Sequence, residues 1–120
     1  MFRRIVFNVV VRNQDDHTKN ISFLMDSSGQ WSLSPAYDMG FAYNPLGAWT
    51  ATHQMSINGK FDNITRADLL SLANANNIKN ASEIIDQVCE TTAGWPELAK
   101  NCGVPQKMID GIVPDMFLSI

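Results

Sequence analysis

The chain has 120 residues, of which 45% are hydrophobic and 18% are charged, and its formal net charge is −3. This balance excludes an intrinsically disordered chain and suits one domain with a single apolar core. The slightly acidic charge argues against a general nucleic-acid-binding surface. No apolar run approaches the ~18 residues of a membrane span, and no secretory signal is recognisable. With only two cysteines, we expect a cytoplasmic protein without a membrane partner.

The first segment, residues 2–12, has apolar side chains spaced for one face of a helix. The β-branched run Val9–Val11 suits a strand equally well, so local propensity leaves both alternatives open. The inward face of such a helix would be formed by Phe2, Ile5, Val6, Val9 and Val10.

Residues 21–34 are predicted to form a β-hairpin. Two short apolar runs, Ile21–Met25 and Trp31–Ser34, have the composition of strands. The turn between them contains Gly29, which favours the positive φ that tight turns need. Pro35 ends the second strand because proline donates no ladder hydrogen bond.

The rest of the chain is predicted to contain one more short strand, at residues 53–57, and then helices. Thr65 and Asp68 have the spacing of a capping box, which predicts a helix over residues 66–77. Three more helices are predicted after it. Asn80 and Glu83 have the same capping spacing and predict a helix over residues 81–93. Pro96 and Gly103 mark the start and end of the next helix, and Pro105 and Pro114 mark those of the last.

These elements together predict an α+β fold whose C-terminal half consists of packed helices. The two cysteines, Cys89 and Cys102, are expected to be small buried hydrophobes. The tryptophans are expected in core or lid positions at Trp31, Trp49 and Trp95.

The polar loop at residues 13–20 is the segment with the strongest indication of chemistry. The two ends of an antiparallel hairpin lie side by side, so Asp38 returns towards Asp15 and Asn20. Such oxygen-bearing side chains can hold Mg²⁺, and a further carboxylate can accept a proton from a substrate hydroxyl.

Other interpretations of this region stay open. An Asp/Asn-rich loop before a strand is commonly a turn whose side chains cap backbone groups. We expect Asp16 to be a solvated loop charge. His53 has no cysteine or histidine at zinc spacing, so no site is predicted there.

The spacing Asp15-x-x-x-x-Asn20 is that of the protein-kinase catalytic loop. The fuller strings, RNQDDHTKN at residues 12–20 and LSPAYD at residues 33–38, resemble the C-terminal lobe of HipA-type serine/threonine kinases, the toxins of HipBA toxin–antitoxin modules. The resemblance extends over nearly all of residues 1–120. It implies a mostly helical, kinase-like lobe in which a small hairpin carries the catalytic and metal-binding residues, and it favours a helix for the first segment.

The resemblance also implies roles for individual residues. Asp15 would be the catalytic base, and Lys19 would contact the transferred phosphate. Asn20 and Asp38 would bind Mg²⁺ and, through it, ATP, while His17 would give structural support. The complete kinase would phosphorylate a protein such as an aminoacyl-tRNA synthetase, bind a HipB-like antitoxin, reach DNA only through that antitoxin, and act in persistence.

The sequence departs from a complete kinase in one respect. It has no glycine-rich loop, no nucleotide-gripping lysine on a strand and no partner glutamate helix, all of which belong to the N-terminal lobe. We therefore expect a partial, C-terminal domain that is inactive alone. One alternative is a non-catalytic module that binds an antitoxin or a separate N-lobe chain. Another is a metal-dependent phosphohydrolase that uses the same acids.

Overall fold

The computed structural model describes residues 1–120 and has an α+β fold, with five α-helices and one two-stranded sheet. Short 3-10 turns cover Thr18–Asn20 and Val113–Asp115. None of the helices has the length and apolar character that crossing a bilayer requires. The elements in chain order are α1 (Phe2–Val10), β1 (Phe23–Met25), β2 (Trp31–Leu33), α2 (Arg66–Ala75), α3 (Ala81–Ala93), α4 (Trp95–Asn101) and α5 (Gln106–Ile112).

Helix α1 is the central element of the core. It packs against α3, which also contacts α2 and α4. The helix prediction for the first segment is confirmed, although α1 ends at Val10 rather than at residue 12, where Arg12 takes a left-handed φ of 53°. Ile5 is only partly buried, whereas the other four predicted inward side chains are buried: Phe2, Val6, Val9 and Val10. The polar loop at residues 13–20 therefore follows closely after a helix that is anchored in the core.

The capping box predicted for α2 is present. The Thr65 hydroxyl accepts from the backbone N–H of Asp68, and the Asp68 carboxylate accepts from the N–H of Thr65 at 2.9 Å. Helix α2 ends at Ala75, two residues earlier than predicted. Helix α3 has the predicted bounds but begins differently, because Asn80 has a left-handed φ of 57° and its side chain makes no capping hydrogen bond.

The hairpin is confirmed, with Phe23 opposite Leu33 and Met25 opposite Trp31. The first strand begins at Phe23 rather than Ile21, and Gly29 has the expected positive φ of 82°. The Asp26 carboxylate organises the turn. Its pKa is lowered by the Ser28 hydroxyl and by backbone N–H donors in the turn, because all of them stabilise the ionised form.

The strand predicted at residues 53–57 is wrong. Only Ile57 makes a bridge, with Lys60, because Asn58 and Gly59 turn the chain with φ values of 52° and 76°. The short segment therefore closes on itself and has no neighbouring strand.

The predicted placement of several apolar side chains is also wrong. Trp31 and Trp49 are 67% and 76% exposed, because one lies on a hairpin that stands at the surface and the other on an open loop. Cys102 is exposed at the C-terminal cap of α4, just before Gly103 with its positive φ of 82°, and Cys89 is only partly buried.

The C-terminal residues pack against the end of α1, where the polar loop begins. Pro114 lies in the 3-10 turn that ends α5, as its sequence position predicts. The backbone N–H of Phe117 then donates to the carbonyl of Val10 at 2.8 Å. This contact fixes the end of the chain against the exit of α1.

Candidate active site

The polar loop is held next to the segment that follows Asp38 by a short parallel bridge. The N–H of Gln14 donates to the carbonyl of Ala42 at 3.1 Å, and the N–H of Ala42 donates to the carbonyl of Arg12 at 3.1 Å. The backbone before Asp15 and the backbone after Asp38 are therefore paired. Two segments separated by the whole hairpin lie side by side.

Asn20 joins the two acidic residues of the site. Its side-chain nitrogen donates to the carbonyl oxygen of Asp15 at 3.0 Å and to Oδ2 of Asp38 at 2.9 Å. Both partners are acceptors, so the orientation of the amide is fixed. The amide oxygen of Asn20 and Oδ1 of Asp38 make no hydrogen bond within the protein and are free to accept a ligand.

Asp38 has an unusual backbone conformation for a residue other than glycine. Its φ is 53°, in the left-handed region that aspartate and asparagine adopt more readily than most residues. The carbonyl of Asp38 accepts from the Asn13 side chain at 3.2 Å, and Asn13 is itself 3% exposed and bonded to Asn8 at 3.0 Å. A buried amide from the loop thus holds the strained turn at Asp38.

Asp15 and Lys19 present exposed charged groups. The Asp15 side chain is 47% exposed, and one of its carboxylate oxygens lies 3.7 Å from Nε2 of His17. Lys19 is exposed, and its ammonium group forms no hydrogen bond or ion pair, while its carbonyl accepts from the Tyr37 hydroxyl at 2.8 Å. The Tyr37 contact fixes the loop backbone, and the two charged ends stay free.

Asp16 is the clearest correction. The prediction of a solvated charge is wrong, because Asp16 is 8% exposed and its Oδ2 lies 2.9 Å from Nδ1 of His53, which is 3% exposed. Its other oxygen accepts from the N–H groups of Gln54 at 2.7 Å and Met55 at 3.4 Å. A buried carboxylate needs such partners, and here they attach the loop to residues 53–55.

Arg12 provides another attachment. Its guanidinium lies over the Tyr43 ring, 3.6 Å from the centroid, and 4.8 Å from the centroid of Phe117. One guanidinium nitrogen is 3.8 Å from a carboxylate oxygen of Asp62. These contacts of the Arg12 guanidinium with two aromatic rings help to hold the start of the loop.

Two cavities meet at Asp38. An open cleft of about 350 Å³ is lined by Asn13, Asp15, Asp38 and residues 39–42. A smaller pocket of about 180 Å³ also includes Asp38 in its lining, together with His17 and Asn20. Asp15 and Asp38 therefore line the same open cleft.

The donor types present suit a hydrated divalent cation. Asp38 offers a free carboxylate oxygen and Asn20 a free amide oxygen, which are hard ligands of the kind that Mg²⁺ prefers. No three His, Cys, Asp or Glu side chains cluster as a ready-made metal cage anywhere in the chain. A Mg²⁺ ion here would keep several water ligands or take phosphate oxygens, as it commonly does.

Comparison with known proteins gives one match. The family described as HipA-like C-terminal domain matches residues 1–96. The chain belongs to this family. No curated protein and no solved structure matches it. The HipA-like match includes the polar loop, the hairpin, Asp38 and the first three helices, so the entire candidate site lies inside it.

Two positioning features of this HipA-like domain were missed in the sequence. One is Asn13, whose buried amide holds the Asp38 carbonyl. The other is the Asp16–His53 pair. The Asp16–His53 contact joins residues 37 positions apart, and no local pattern in the sequence indicates it.

Proposed function

We propose that this domain carries the catalytic-base and metal side of the phosphoryl-transfer site of a HipA-type serine/threonine protein kinase. The observation that supports this most directly is the position of Asn20, whose amide donates to both the Asp15 carbonyl and the Asp38 carboxylate. These hydrogen bonds hold the Asp15 backbone and the Asp38 carboxylate at the same amide, and the Asp15 carboxylate is proposed to work next to the free oxygens of Asn20 and Asp38. A proton acceptor and oxygen ligands for the metal ion are what phosphoryl transfer needs from the C-terminal lobe of a kinase.

Each residue has a distinct task in this proposal. Asp15 lines the open cleft and accepts the proton of the substrate hydroxyl as it attacks. Asn20 and Asp38 hold Mg²⁺, which when bound neutralises charge on the phosphate oxygens of ATP. Lys19, with its ammonium group unpaired, contacts the transferred phosphate. Asp16, Asn13 and Tyr37 act only by holding these residues in place.

The rest of the kinase site is proposed to come from outside residues 1–120. These residues contain no glycine-rich phosphate loop and no nucleotide-gripping lysine on a strand. An N-terminal lobe, in the same polypeptide or in another, would clamp the nucleotide. By family, the complete kinase is proposed to act in the cytoplasm on a protein such as an aminoacyl-tRNA synthetase, and to be the toxin partner of a HipB-like antitoxin.

A second candidate function is a non-catalytic module that binds an antitoxin or an N-lobe chain. The exposed hairpin favours it, because Phe23, Met25 and Trp31 are 60%, 57% and 67% exposed. Alternating positions place these three side chains and Leu33 on one face of the hairpin. An apolar face of this kind marks an interaction site in many proteins.

The experiment that separates the two candidates adds an N-terminal lobe of a HipA-type kinase to residues 1–120 and measures transfer of labelled phosphate from ATP to protein. We expect no labelling by the isolated chain and ATP-dependent labelling by the mixture, lost in Asp15→Ala and in Asp38→Ala. Asp86→Ala, which removes an exposed carboxylate on α3, is the matched control and should retain it. Labelling that survives Asp15→Ala would contradict the proposal, and binding without labelling would favour the second candidate.

A further inference from the structure

A second cavity adjoins the cleft that is lined by Asp15 and Asp38, but neither of these two residues lines it. It has a volume of about 560 Å³ and lies between α1, α3, α4 and the segment that follows Asp38. This volume is within the range of about 300–1,000 Å³ that is typical of small-molecule sites. Most of its wall is apolar, with contributions from Phe7, Val11, Phe41, Val88 and Leu98.

One charged group lines this cavity. Arg3 is exposed at its edge and donates from one guanidinium nitrogen to the side-chain oxygen of Gln87 at 2.8 Å. Arg3 forms no ion pair, unlike Arg12 and Arg66, which lie near Asp62 and Asp86. Its remaining donors can therefore bind a carboxylate in the forked geometry that guanidinium favours.

The polar groups inside the cavity do not compete for this role. The Thr91 hydroxyl already donates to the carbonyl of Gln87 at 2.7 Å. Thr92 is 6% exposed and uncharged. An apolar wall with a single cation at its edge suits a ligand with an apolar body and one negative charge.

We propose that this cavity is a binding site for an amphiphilic monocarboxylate, of the size of a medium-chain fatty acid, with the carboxylate on Arg3 and the chain between α1, α3 and α4. Neither the base and metal residues nor the family match assigns a ligand here. The inference does not depend on the kinase proposal, because it concerns a separate cavity and a binding event.

The site is connected to Asp38 by one short segment. Met39, Gly40 and Phe41 line both this cavity and the cleft that contains Asp15 and Asp38. A Cβ placed on Gly40 would have no heavy atom within 4 Å, so the segment has open space beside it. A ligand in the cavity therefore lies next to residues 39–41, which directly follow Asp38 in the chain.

The test is a titration of the full chain with decanoate, below its micelle concentration, followed by ¹H–¹⁵N NMR. We expect saturable, one-site shifts at residues 39–41 and at Leu98. Arg3→Gln should weaken binding at least tenfold, and Leu98→Glu should weaken it further by placing a like charge at the edge. Both side chains are exposed, so neither variant should change the melting temperature.

Two controls make the result specific. Lys100→Gln removes an exposed positive charge on α4 outside the cavity and should leave the affinity for decanoate unchanged. Decanol has the same chain without the charge and should bind at least tenfold more weakly than decanoate. The proposal is overturned if decanoate gives no saturable shifts, if Arg3→Gln binds it as tightly as the unmodified chain, or if decanol binds equally well.

Discussion

Two adjacent acids in this protein have opposite environments. The Asp15 side chain is about half exposed, and its carboxylate has one long contact, at 3.7 Å from His17. Asp16 is buried, with a histidine on one oxygen and backbone N–H groups on the other. The Asp15 carboxylate is therefore accessible to a ligand, whereas the Asp16 carboxylate holds the loop in place through its hydrogen bonds.

The first prediction uses this contrast. Asp16→Ala should lower the free energy of unfolding by about 3 kcal/mol, because removal of one member of a buried, hydrogen-bonded pair leaves the other unpaired. Asp15→Ala should change stability by less than about 0.5 kcal/mol, as exposed substitutions usually do. Urea denaturation of both variants measures the difference. Equal stabilities would show that the Asp16–His53 contact does not hold the loop.

Asp68 gives a prediction about pH. Its pKa lies far below the ordinary value because Lys60 first, and then Asn58 and Thr65, donate hydrogen bonds to the ionised carboxylate. A lowered folded-state pKa contributes stability that is present above the unfolded-state value of 3.8 and is lost as the pH falls below it.

We therefore expect the free energy of unfolding to decrease as the pH falls from about 5 towards 2, with a steeper decrease in the unmodified chain than in Asp68→Asn. Thermal melting across this pH range is the measurement. Asp110→Asn, which changes an exposed acid on α5, should keep the full slope. If Asp68→Asn kept the full slope as well, the low pKa of Asp68 would not contribute to acid stability.

At the scale of elements, α1 connects the core to the site. Val6, Val9 and Val10 are completely buried, and the chain enters the polar loop within five residues of Val10. Asn13 also bonds back to Asn8 in this helix, through both backbone and side chain. Any change that displaces α1 should therefore displace the loop as well.

Val9→Asp tests this packing. A charge at a position with 0% exposure and no partner costs several kcal/mol, so we expect the chain to lose its cooperative thermal transition. The matched control is Arg3→Ala on the exposed side of α1, which should melt within a few degrees of the unmodified chain. A transition preserved in Val9→Asp would mean that α1 is not part of the core.

Local signals in the sequence were sufficient for elements whose stabilising contacts are local. The Thr65–Asp68 capping box and the Gly29 turn depend on residues a few positions apart, and both are present. The choice of helix for the first segment instead needed the family resemblance, because Val9–Val11 suits a strand as well. Asn80 shows the limit of such motifs, since its left-handed backbone prevents the capping that its spacing suggests.

At the scale of the whole molecule, the contact of Asn20 with Asp38 follows from antiparallel pairing, and it could be predicted from the sequence. The partner of Asp16 could not, because His53 reaches it through a loop that no local pattern fixes. The stacking of Phe117 on Arg12 is similarly remote. The residues expected to perform chemistry were selected from their types and spacing, and their roles stay predictions, whereas the residues that position them depend on tertiary contacts.

The central claim is that Asn20 and Asp38, beside Asp15, form a divalent-cation site, and titration with Mn²⁺ followed by NMR tests it most directly. Mn²⁺ is a hard cation that accepts the same oxygen ligands as Mg²⁺ and broadens signals near its binding site. We expect weak binding that broadens the amide signals of Asp15, Asn20 and residues 38–40, is lost in Asp38→Ala and persists in Asp86→Ala. Broadening centred elsewhere, or unchanged in Asp38→Ala, would contradict the account.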